Sequence, residues 1–103
     1  MSEEAAQRDD GVAVHYSTIA RGTAIYGSDG VEVGKVVSVS DNKRENILDG
    51  FIFEDAKGET RFVDAPEVQR TYERAVELNI DSAAAGELGP PPKNSRMGGL
   101  FGR

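Results

Sequence analysis

The amino-acid sequence predicts an all-β chain with sharp curvature, and three observations carry that expectation. Two β-prone runs, residues 23–26 and 31–40, are joined by Ser28-Asp29-Gly30, a tight turn whose glycine accepts the positive φ such turns need. A second glycine-containing turn, Asp55-Ala56-Lys57-Gly58, joins the apolar run 47–54 to residues 59–63. Gly34 interrupts the Val-rich second run and marks a β-bulge or a close backbone approach, at which inward and outward faces exchange. Curvature of that kind is what small barrels require.

Composition narrows the function classes. At 103 residues the chain has room for one domain of ordinary size. Hydrophobic residues at 38% and charged residues at 29% describe a soluble globular chain with a disordered contribution, expected at its ends. The net charge of -6 opposes contact with phosphate backbones, so nucleic acid is not expected as a direct partner. No apolar run approaches the roughly 20 residues of a membrane helix. The opening MSEEAAQRDD is acidic where a secretory signal is basic and then apolar, so the chain reads as cytoplasmic, without membrane insertion. With no Cys, disulfides, thiolate nucleophiles and sulfur-ligated zinc are all excluded.

Residues 1–13 read as a flexible acidic arm carrying Glu3, Glu4, Asp9 and Asp10 against Arg8. Partial alternation over residues 12–21 fits an approach segment or an edge strand. In the first short strand Ile25 is the expected inward residue. In the second, Val33, Val37 and Val39 share a parity that Val36 does not. The polar stretch 41–46 is a hairpin loop. The run 47–54 is the best core strand, with apolar residues on both parities. The fourth strand, 59–63, is stopped by Asp64-Ala65-Pro66, because Pro has no N–H for the ladder.

Residues 67–79 are evenly balanced between helix and strand. Val68, Tyr72, Ala75 and Val76 fit a helical face, whereas Tyr72, Arg74, Val76 and Leu78 alternate as a strand would. Asp81 or Ser82 caps a short helix over residues 83–88, which packs through Ile80 and Leu88 and ends at Gly89. Residues 89–103 form a Pro/Gly-rich basic flexible tail with Lys93, Arg96 and Arg103. Within it Met97, Leu100 and Phe101 make a short apolar hook, suited to a partner or to the acidic domain itself.

No catalytic constellation emerges. The lone His15 reads as a surface histidine. Gly27, Gly30 and Gly34 precede a strand rather than the helix N-terminus that a phosphate cradle needs. The acidic residues form no calcium-loop pattern, and the 41–45 loop holds two basic residues. The expectation is therefore no enzyme, no cofactor and no metal. Of the large side chains Tyr26, Phe51, Phe53, Phe62 and Tyr72, most are expected in the core. Tyr72, Met97, Leu100 and Phe101 are the expected protein contacts.

Residues 23–88 resemble a PRC-barrel domain. The resemblance rests on Ala24-Ile25-Tyr26 before Asp29-Gly30, Val33-Gly34-Lys35-Val36 with Val39, Gly50-Phe51-Ile52-Phe53, Phe62-Val63-Asp64-Ala65-Pro66, and Val68, Val76 and Leu78. It implies a small PRC-type β-barrel of about five to six strands over residues 14–88, with a short C-terminal capping helix. It also resolves residues 71–72 and 75–78 as strands. The family is a set of modules that bind proteins, with no catalytic motif to carry over. The implied function is a protein-binding adaptor whose partner is another protein or a second copy of itself, as in a homodimer. An accessory role in RNA processing or ribosome maturation, through a basic ribosomal protein, is the alternative.

Overall fold

The computed structural model describes residues 9–42, 44–45 and 47–91. Six strands form one sheet curled into a half-barrel: β1 (Ala24–Tyr26), β2 (Glu32–Asn42), β3 (Ile47–Glu54), β4 (Thr60–Asp64), β5 (Val68–Tyr72) and β6 (Ala75–Leu78). Their order is β4-β3-β2-β1-β6-β5. Every neighbouring pair is antiparallel except β1 with β6, which is parallel. The core lies on the concave side, where Phe51, Phe53, Ile25, Val63, Val76 and Leu78 are almost completely buried.

Both hairpin turns form as their residues demand. Gly30 and Gly58 have φ of 81° and 85°, a region L-residues with a Cβ avoid. Residues 67–79, balanced between two periods in the sequence, are strands β5 and β6. Pairing decides the matter: a helix there would leave β1 without its second neighbour, and Ala75 and Val76 are fully buried against it.

Two details extend or correct the expected fold. Faces exchange in β2 at the bulge beside Gly34, as expected, and a second time at Val37. Val36 pairs with Phe53 and Ser38 with Ile52, so Val37 is the extra residue that flips the parity there. Gly34 is also a close approach. A Cβ there would lie 2.5 Å from the Glu54 carbonyl oxygen and 2.6 Å from the Phe53 ring, and the bulge beside it falls at Val33.

The capping helix, α1 (Ser82–Ala85), is shorter than expected and ends at Gly86 rather than Gly89. Asp81 is its N-cap, accepting the Ala84 N–H at 2.9 Å. Ala85 is buried, while Ile80 and Leu88 pack on the core as expected. One turn suffices because α1 seals one end of the half-barrel and draws its stability from that contact.

Candidate protein-interaction surface

The register sorts the large side chains into two groups. In β3, Phe51 and Phe53 point into the core, so Ile52 and its partner Phe62 lie on the outer face. In β1 and β5, Tyr26 neighbours inward Ile25, and Tyr72 pairs with Ala75, beside inward Val76. Three of the five large residues expected mostly in the core therefore sit on the convex side, each half-buried. Alternation within each strand hides this until the register is known.

Two cross-strand rows organise that face. One runs Ala13, Tyr72, Ala75, Ala24, Lys35. The other runs Arg70, Glu77, Tyr26, Glu32. Tyr72 is flanked by Ala13 and Ala75 on the neighbouring segments, and Ala75 is completely buried. Tyr26 lies in the charged row. Lys35 and Glu32 form an ion pair of 2.8 Å, and this pairing holds the Lys35 ammonium above its ordinary pKa. At the other end of the sheet Phe62 lies over Gly50, where any Cβ would overlap the ring and the Val63 carbonyl. Aromatic side chains bordered by charged residues recur at protein-binding surfaces.

The sheet edges are partly occupied by the chain itself. On the β4 edge the Phe62 N–H donates to the Gly89 carbonyl at 2.9 Å. Pro90 and Pro91 follow, and neither can offer an N–H. On the β5 edge Val14 N–H donates to Thr71 O at 3.0 Å, and Glu73 N–H donates to Val12 O at 3.0 Å. Such covering is how soluble sheets avoid uncontrolled strand pairing.

A cleft of about 250 Å³ opens between the hairpin turns and α1, lined among others by Val33, Phe53, Asp55, Arg61 and Ala85. Two of its charged groups, Arg61 and Asp55, engage each other. Arg61 donates from Nε to Asp55 Oδ2 at 2.8 Å and from Nη1 to the Leu88 carbonyl at 2.5 Å. Asp55 also accepts the Lys57 and Glu59 N–H groups, each at 2.9 Å. The Arg61 hydrogen bond, followed by that from Glu59, holds the Asp55 carboxyl below its ordinary pKa. These contacts fix the turn between β3 and β4.

His15 lies on the surface as expected. Its Nδ1 accepts the Ser17 N–H at 3.2 Å, which caps the 3-10 turn Tyr16–Thr18. Tyr16 lies at the rim of the half-barrel, where burial first and then the charges of Asp41 and Asp49 raise its pKa. Among the described residues no group of three or more His, Asp or Glu could hold a metal ion. Also among them, no helix is long and apolar enough to cross a membrane.

Of the sequence-derived contact residues, Tyr72 lies on the outer face at the end of β5, and Met97, Leu100 and Phe101 lie outside the described residues. Tyr26 and Phe62 join Tyr72 on that face, where the sequence assigned them no binding role. No family model matches the chain, and no curated protein does either.

Proposed function

We propose that this chain is a non-enzymatic protein-binding adaptor on a PRC-type barrel, and that it engages its partner through the convex face of the sheet. The observation that carries this reading is the outward placement of Tyr26, Phe62 and Tyr72 on a sheet whose edges are partly occupied. Half-buried tyrosines offer large rigid contact area at low entropic cost. The surrounding Glu32, Lys35, Arg70 and Glu77 supply a polar rim that sets orientation more than affinity.

The test places a photo-crosslinking amino acid at Tyr26 or Phe62 in the full chain inside its native cell, with a third variant carrying it at Ala84. Ala84 is exposed on α1, off the sheet. The reading expects one protein to be cross-linked from Tyr26 and Phe62, and its co-purification with the tagged chain to be lost when Tyr26→Ala and Phe62→Ala are combined. Equal labelling from Ala84, or unchanged co-purification with the double variant, overturns it.

A further inference from the structure

The segment 9–14 is held on β5 almost entirely by groups that any extended chain possesses. Three backbone hydrogen bonds place it: Val14 N–H to Thr71 O at 3.0 Å, Glu73 N–H to Val12 O at 3.0 Å, and Arg74 N–H to Asp10 O at 2.9 Å. Two side chains of the domain add to them. Thr71 Oγ1 donates to Val14 O at 2.6 Å, and Arg74 donates from Nε to Asp9 O at 3.1 Å and from Nη2 to Asp9 Oδ1 at 3.0 Å. The Arg74–Asp9 pair is open to solvent, with side-chain exposures of 57% and 84%. Apolar burial in the segment is confined to Val14, which packs against the core, because Val12 is 64% exposed and Ala13 is exposed.

The firmest anchor of the chain lies beyond this point. Ile19 is in the core, Tyr16 packs against it, and the 3-10 turn between them is closed by its own hydrogen bonds. Residues 9–14 can therefore leave β5 by rotation about His15 at the cost of the Val14 packing alone, with Ile19 still holding the chain to the core. The vacated edge would accept an antiparallel strand with a glycine over Glu73, where a Cβ would overlap the Glu73 side chain, and an acid two residues earlier to meet Arg74. The sequence that meets both conditions is Asp9-Asp10-Gly11-Val12-Ala13-Val14 itself.

We infer that the β5 edge is a strand-accepting site whose occupant in trans is residues 9–14 of a second copy of this chain. Exchange of an identical segment conserves every contact, so it requires only detachment in cis and sufficient protein concentration. The site lies on the sheet edge and does not depend on the convex-face reading.

The absence of Cys from the sequence makes a clean test possible. Ala13 and Tyr72 bridge as a non-hydrogen-bonded antiparallel pair, a geometry whose Cα separation of about 4.5 Å lies within disulfide range. Full-length Ala13→Cys and full-length Tyr72→Cys are mixed at high concentration with oxidised glutathione. Covalent heterodimer is quantified against a mixture in which Val31→Cys, also exposed, replaces Tyr72→Cys. Exchange predicts heterodimer at least about tenfold above that control, suppressed by excess synthetic peptide of residues 9–16. Heterodimer at the control level overturns the inference, as does heterodimer that the peptide leaves unchanged. A double Ala13→Cys, Tyr72→Cys variant that closes within one chain verifies the register, so a negative mixture cannot be ascribed to misfolding.

Discussion

Ser82 Oγ donates to Asp29 Oδ2 at 2.7 Å, and the Ser82 N–H lies 3.2 and 3.3 Å from the two carboxylate oxygens. The two residues stand 53 apart in the sequence. Asp29 belongs to the turn between β1 and β2, Ser82 begins α1, and their contact ties that turn to the C-terminal segment. Asp55 and Arg61 do the same on the other side, through the Leu88 carbonyl. Both hairpin turns are thus tied to one short C-terminal segment by a carboxylate.

These two ties predict the acid behaviour of the protein. The Ser82 hydroxyl lowers the Asp29 pKa and the Arg61 guanidinium lowers that of Asp55, each relative to 3.8. A carboxyl depressed in the folded state contributes stability above its unfolded pKa and loses it as pH falls through the folded value. The urea midpoint should hold from pH 7 down to about pH 4 as far as these groups are concerned, and decline below. The Asp29→Asn, Asp55→Asn double variant should have a lower midpoint at pH 7 and a flatter acid limb, readable by circular dichroism.

Gly34 and Gly30 should respond differently to the same substitutions. At Gly34 the obstacle is space, so Gly34→Ala should cost about 1–3 kcal/mol in urea unfolding and Gly34→Asn more. At Gly30 nothing lies within 4 Å, and the obstacle is a φ of 81°. Gly30→Ala should therefore be destabilising, while Gly30→Asn recovers part of the loss because Asn tolerates the left-handed region.

The division of aromatics between faces predicts unequal truncation costs. Phe51→Ala should lose about 3–5 kcal/mol, since its ring is completely buried. Phe62→Ala, on the half-buried outer side, should lose roughly half of that or less. Equal losses would place both rings in the core and contradict the register.

Asp81→Ala removes the cap of a helix of four residues and should cost about 1 kcal/mol. Hydrogen exchange should localise the effect, with faster exchange at Ala84 and Ala85 and little change in β3.

Much of the scaffold was legible in the sequence because it is local. Asp29-Gly30 and Asp55 to Gly58 announce their turns through φ, Ile25 its burial through its position in a short strand, and Asp81 its cap through the helix it precedes. Local periodicity left residues 67–79 open, because helix and strand periods fit Val68 to Leu78 equally well and the choice belongs to β1, some fifty residues earlier, although the resemblance read 71–72 and 75–78 as the strands that form. The exchange of faces beside Gly34 was legible through its glycine, whereas the second exchange, at Val37, was not, because Val37 carries no mark that distinguishes it from its neighbours. The outer face was the least visible. A one-residue shift of register moves a tyrosine from core to solvent, so Tyr26 and Phe62 could not be placed by hydrophobicity alone.

The sequence by itself determined the all-β class, the two glycine turns and the capped C-terminal helix, since backbone sterics and short-range hydrogen bonds decide these within a few residues. Only the tertiary structure decided which aromatics face outward, which edges the chain covers with its own segments, and that Asp29 and Ser82 meet. Those outcomes depend on strand register and on contacts across the whole chain, which no local window contains.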